Sequence, residues 1–144
     1  STDKDQLANK VVSHMMEHDL FSQWLGIKLL EQGEGFVRIE MKVRQEMCNA
    51  FNIIHGGIIF SFADSALAFA ANASGRQAVS IESSISHLKS VYSGEVISAT
   101  ATRIKEGKNI AVFHVTVTGE ENKLIADFKG TVLRTVSSWN DDHQ

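Results

Sequence analysis

Hydrophobic and polar positions divide the chain into an amphipathic helix, a hairpin, a long apolar helix and four further strands. Leu7, Val11, His14 or Met15, and His18 recur at helical spacing between Asp5 and Asp19, which assigns residues 1–19 to an N-terminal helix. A turn carrying Phe21 and Trp24 is expected next. From Gly26 to Gln32 and from Phe36 to Val43 the pattern alternates, Phe36, Arg38, Glu40 and Lys42 against Val37, Ile39, Met41 and Val43. With Gly33-Glu34-Gly35 between them, these segments read as a hairpin. From His55 to about Ala73 the chain is apolar almost all round, with no β-branched residue after Ile59, as in a buried helix. Ala78 to Lys89, Glu95 to Ile104, Ile110 to Thr118 and Leu124 to Val136 read as strands, joined by short polar turns around Gly94, Gly107 and Gly119. Such short connections make the sheet antiparallel. The expected architecture is α+β, five or six strands wrapping one central helix, with residues 137–144 as a flexible tail.

A length of 144 residues and 15.9 kDa fits a single domain. There is no proline, repeat or linker-like stretch to divide it. Hydrophobic residues at 43% and charged residues at 22% exclude a natively unfolded chain. The lone Cys48 excludes an intrachain disulfide framework and a cysteine-rich zinc finger. Fourteen basic against 17 acidic residues give a net charge of −3, unsuited to neutralising phosphates, so no nucleic-acid partner is expected. Ser1 to Asp5 is charged and shows no signal-peptide pattern. The segment Ile53 to Ala73 is long enough to span a bilayer, but it carries His55, Asp64 and Asn72, and a mid-bilayer carboxylate is costly. No membrane partner is expected, and the expected compartment is the cytoplasm.

Within the apolar helix Asp64 has Phe60, Ser61, Leu67 and Ala68 as its helical neighbours. A carboxylate on such a stripe is desolvated, which marks it as a candidate for chemistry. His55-Gly56-Gly57 opens the same helix, where free N–H groups and the positive dipole end can hold an oxyanion. At about 1.5 Å per residue, Gly56 and Asp64 lie about 12 Å apart and cannot reach one carbonyl from a single helix. If they act together, two subunits must pair about a twofold axis, with Gly56 of one facing Asp64 of the other. Asn49 is placed to orient a carbonyl or a water, and Ser80, opening a run of hydroxyls, to align a water. His14-Met15-Met16-Glu17-His18 matches the H-x-x-E-H pattern of inverted zinc peptidases. It offers no third ligand from elsewhere in the chain, and no metal site is assigned to it. His87 and His114 read as members of a sheet face, and Cys48 as a partly buried thiol. No G-x-S-x-G elbow, Walker loop or G-x-G-x-x-G fingerprint occurs.

The run from Asn49 through His55-Gly56-Gly57 to Phe60-Ser61-Phe62-Ala63-Asp64 resembles the signature of hotdog-fold acyl-CoA thioesterases, in the phenylacetate-degradation (PaaI-type) branch. The order of elements fits that family from about Leu20 to Arg134. The resemblance implies a homodimer, usually paired further into a homotetramer, that hydrolyses an acyl-CoA with an aryl-acetyl or short to medium acyl chain. It implies no metal and no bound cofactor, CoA being part of the substrate. It makes Asp64 the nucleophile or the base that activates water, and Gly56 the amide donor to the thioester carbonyl. Asn49 and His55 would help hold that carbonyl, Ser80 would orient the water, and Gly57 would line the substrate site. Lys89, Arg103, Lys105 and Lys108 are the basic candidates for the CoA phosphates. The sequence departs from the family where Lys89-Ser90-Val91 replaces the usual proline and His87 stands in place of an aromatic residue or Asn. The alternatives are a non-catalytic acyl-CoA-binding module and a hotdog dehydratase or hydratase.

Overall fold

In the computed structural model, which describes residues 2–139, the N-terminal segment folds as helix α1 (Asp3–His18). Thr2 Oγ1 accepts the Asp5 N–H at 3.1 Å, and the Thr2 N–H donates back to the Asp5 carboxylate, a reciprocal cap that satisfies two donors at the helix start. Ala8, Val11 and Val12 are buried, with Met15 and Met16 packed against the core. The inward face is therefore rotated from the expected stripe, and His18 stays exposed, because apolar side chains lose less on leaving water than imidazoles. The expected turn at Phe21 and Trp24 is instead a second helix, α2 (Leu20–Leu25). The Asp19 carboxylate caps it by accepting the Ser22 N–H at 2.9 Å and the Ser22 hydroxyl at 2.6 Å, and Gly26 ends it at a left-handed φ of 77°.

The strands are β1 (Lys28–Gly33), β2 (Phe36–Lys42), β3 (Arg76–His87), β4 (Val96–Glu106), β5 (Ile110–Thr118) and β6 (Leu124–Ser138). The long helix α3 (Gly56–Asn72) lies between β2 and β3 in the chain. All pairings are antiparallel, in the order β1-β2-β4-β5-β6-β3. The sheet curls around α3, which packs against β2, β3, β4, β5 and β6; this is the expected α+β fold with six strands. Among the described residues β3 pairs only with β6, leaving an open edge on which Val79 and Ile81 are each 54% exposed. Its register shifts between Ser80 and Glu82.

Phe62, Ala63, Ala66, Phe69 and Ala70 of α3 are fully buried against Ile39, Ile97, Ala99, Phe113 and Phe128 of the sheet. Truncating Phe62 to alanine would cost about 3–5 kcal/mol. The approach is closest at Gly130 of β6, where a Cβ would stand 2.5 Å from Leu67 Cδ2, so only glycine fits beneath the helix. Asn72, 3% exposed, closes the far end of α3. Its Nδ2 donates to the carbonyls of Ala68 and Ala78, and its Oδ1 accepts from the Ala78 N–H and the Trp139 indole. Both donors and both lone pairs are thus satisfied inside the core. The Trp139 N–H also donates to the Gly75 carbonyl at 2.8 Å. Ser137 and Ser138, expected in a flexible tail, accordingly extend β6, while residues 140–144 of that tail lie outside the described residues.

Candidate active site

The loop that delivers α3 is hooked onto the segment before it. Asn49 Oδ1 accepts the N–H groups of Phe51 (2.9 Å) and Ile53 (3.2 Å), and the Asn49 N–H donates to the Ile53 carbonyl at 2.8 Å. Such an Asx turn suits Asn52, which takes a left-handed φ of 62°. The Asn49 oxygen is therefore occupied, and only its amide NH2 has no partner among the described residues. The His55 N–H donates to the Met47 carbonyl at 2.9 Å, setting the entry to the helix.

His55 is the N-cap of α3, its Nδ1 accepting the Gly57 N–H at 2.9 Å. In the neutral ring this bond places the proton on Nε2. The bond also occupies the Gly57 amide. Gly57, expected to line the substrate site, serves the cap instead, and a Cβ there would lie 3.1 Å from the same His55 nitrogen. The amide left without a partner among the described residues is that of Gly56, at the positive end of a 17-residue helix.

Gly56 opens into a cleft of about 290 Å³ lined also by Ile53, Ile59, His87 and Lys89. The His87 ring stands directly over Gly56: a Cβ on that glycine would lie 3.2 Å from His87 Nε2 and 3.3 Å from Cε1. His87 was expected to be an ordinary member of a sheet face. It shares a strand face with Ile85, two residues earlier and packed against the core, and is itself exposed at the end of β3.

Asp64 lies eight residues further along α3, about 12 Å away and about 80° around the helix. It faces a separate cleft of about 250 Å³, with Asp19, Phe21, Phe60, Ser61 and Ala68 among its walls. Burial pushes its carboxyl above the ordinary aspartate range. It has no hydrogen-bond or ion-pair partner among the described residues. A desolvated, unpartnered carboxylate is a stronger base and nucleophile than one in water.

The remaining residues divide clearly. Lys89 lines the Gly56 cleft. Ser80 lies on the open edge of β3 beside its register shift, its hydroxyl 3.3 Å from that of Ser83, and lines neither cleft. Arg103, expected as a CoA-phosphate contact, is committed to Glu34 at 3.0 Å and Glu106 at 3.5 Å, with a side chain only 21% exposed. That pairing holds the Glu34 carboxyl below its usual range. Lys105 and Lys108 are exposed around the β4–β5 turn. The Lys108 carbonyl accepts from Arg76 Nη1, which places this turn at the C-terminal end of α3, opposite Gly56. His14, Glu17 and His18 bring their ligating atoms within 4.8 Å of one another on α1, outside both clefts.

A family model described as the thioesterase superfamily matches residues 51–126. A putative esterase of Archaeoglobus fulgidus is 42% identical over 131 residues, 91% of this chain and 85% of that protein. The acyl-coenzyme A thioesterase PaaI of Escherichia coli is 34% identical over 116 residues, 81% and 83% of the two chains. The solved structure of the E. coli PaaI protein, from the phenylacetic acid degradation operon, superimposes with a TM-score of 0.91 at 31% identity. It covers 93% of this chain and 97% of that one.

Proposed function

The chain belongs to the thioesterase superfamily, and on that premise we propose that it hydrolyses acyl-CoA to a free acid and CoA across a homodimer. The observation that carries this reading is the pair of groups on α3. An unpartnered Gly56 amide and a desolvated Asp64 carboxylate sit on one helix but in separate clefts. About 12 Å is too far for one thioester. A twofold pair formed along the open β3 edge brings Gly56 of one protomer to Asp64 of the other, giving two equivalent sites. Ser80, on that edge, then lies beside the partner and is placed to orient the water. Further pairing into a homotetramer belongs to the same reading, as does a cytoplasmic location, in keeping with a single cysteine that cannot form an intrachain disulfide.

The thioester carbonyl oxygen accepts the Gly56 N–H, with the Asn49 amide NH2 and the His55 Nε2–H as further donors at the same helix start. Asp64 takes a proton from water as the water oxygen bonds to the carbonyl carbon, or attacks that carbon itself and is released by water. In both routes the tetrahedral intermediate collapses by breaking the C–S bond, and the CoA sulfur leaves and picks up a proton. An oxyanion donor such as Gly56 is worth about 2.7–4 kcal/mol of transition-state stabilisation. The chemistry draws only on water and these residues. Lys89, beside Gly56, is the basic residue placed to meet the CoA arm.

The test is thiol release by wild type and Asp64→Asn over a panel of acyl-CoAs. The expected result is a fall in kcat of about 10²–10⁴-fold with the dimer mass unchanged. Near-normal turnover in the variant removes Asp64 from the chemistry. Acyl-CoA binding by the wild type without thiol release would identify a binding module instead.

A further inference from the structure

The Gly56 cleft and the Asp64 cleft divide the substrate, and this inference rests on the thioesterase reading above. On that reading the CoA arm runs along the cleft lined by Gly56, His87 and Lys89, and the acyl group extends from Asp64 into the other cleft. Along α3 that cleft is bounded by Phe60, one turn before Asp64, and Ala68, one turn after it. Phe60 is held edge-to-face on Phe128, with ring centroids 5.4 Å apart. Helix α2 adds a wall from outside α3, with Phe21 and, just before the helix, Asp19 lining the same cleft.

We propose that Phe21 is the residue that sets acyl-group size, restricting the enzyme to compact acyl groups, aryl-acetyl or short aliphatic, and excluding long chains. Two features of the structure support a fixed stop. First, α2 is anchored despite its six-residue length. The Ser22 and Ser65 hydroxyls share a buried hydrogen bond of 2.9 Å directly beside Asp64. Arg44 donates to the carbonyls of Trp24 and Leu25 and lies 4.9 Å from the centre of the Trp24 ring. Trp24 in turn stacks on Phe21 at 6.1 Å. Second, Asp19 shares the cleft with Phe21, so a methylene chain forced past the ring meets a carboxylate rather than apolar surface.

The test compares kcat/KM for phenylacetyl-, hexanoyl- and dodecanoyl-CoA in wild type, Phe21→Ala, Phe21→Trp and Leu20→Ala. Leu20 is 76% exposed and lines neither cleft, so its variant keeps the wild-type ratios. Phe21→Ala is expected to raise the dodecanoyl-to-phenylacetyl ratio at least about tenfold, the scale on which pocket contacts discriminate apolar substrates. Phe21→Trp is expected to raise the hexanoyl-to-dodecanoyl ratio and to depress phenylacetyl turnover. Ratios unchanged in both Phe21 variants, with circular dichroism like wild type, overturn the proposal, as does a wild type that prefers dodecanoyl-CoA. A wild type that releases no thiol from any substrate fails at the earlier step, and the proposal falls with the thioesterase reading.

Discussion

Gly56→Ala separates the stability of α3 from its chemistry. The new Cβ would stand 3.2 Å from His87 Nε2, 3.3 Å from Cε1 and 3.9 Å from Cδ2. The ring must therefore retreat by a few tenths of an ångström. His87 is exposed at the end of an edge strand, and moving it off its preferred rotamer costs about 0.5–1.5 kcal/mol. Gly56 has ordinary helical geometry rather than a positive φ, so alanine gains about 0.4–1 kcal/mol by restricting the unfolded chain. The two effects cancel to within about 1 kcal/mol, a Tm change of about 2–4 °C at most for a chain of this size. In the cleft, however, the methyl and the His87 ring it displaces crowd the approach of the thioester oxygen to the Gly56 amide, which keeps its N–H. Where that crowding breaks the contact with the donor, kcat falls by up to about 10²–10³-fold. Differential scanning calorimetry and thiol-release kinetics on the same preparation check both numbers. Turnover within threefold of wild type would refute the assignment of Gly56. A Tm loss well beyond 4 °C would instead refute the claim that His87 yields.

Mixing Gly56→Ala with Asp64→Asn subunits tests the two-chain site: each parent is inactive, but the heterodimer holds one intact site. Statistical exchange should recover roughly a quarter of wild-type activity, and none if Gly56 and Asp64 act within a chain. Burial raises the Asp64 carboxyl above 3.8, so the acid limb of kcat/KM against pH should lie above the ordinary aspartate range, with activity lost as pH falls through it. Stability runs the other way. The folded-state value is the higher one, so this group favours folding fully below 3.8 and loses that contribution as pH rises through the raised value. Asp64→Asn should therefore match or exceed wild type in urea unfolding at pH 7, with the gap closing in acid. Asp19→Ala removes both acceptors that cap α2 and should cost about 1–2 kcal/mol in urea unfolding. An unchanged midpoint would show that Arg44 and the Ser22–Ser65 bond hold α2 without its cap.

Local periodicity determined the kinds of element and most of their limits. Alternation marked the hairpin and the strand Ile110–Thr118, and an all-round apolar run marked α3, because a side chain's phase along a helix or strand depends only on its own neighbours. The capping of α2 was equally local, an aspartate before it and a glycine after, but a six-residue helix offers too short a period to stand out from a turn. The chemical pair was legible for the same reason. Asp64 and His55-Gly56-Gly57 lie on one continuous helix, so their separation, and with it the need for two chains, follows from helix rise alone.

What the chain could not disclose by itself depends on which distant segments meet. Sheet order carried β3 past its neighbours in sequence to pair with β6 at the open edge, and that crossing swung His87 over Gly56. Packing of α2 on α3 put Phe21 in the Asp64 cleft, and the β4–β5 end drew Arg103 into ion pairs with Glu34 and Glu106. Even within the local motif, hydrogen-bond geometry decided the roles, giving the Gly57 amide to His55 and leaving that of Gly56 without a partner among the described residues. Periodicity fixes which way a side chain points along its own element. Its partner is chosen only when the apolar faces of all the elements are buried together, and that choice belongs to the tertiary structure.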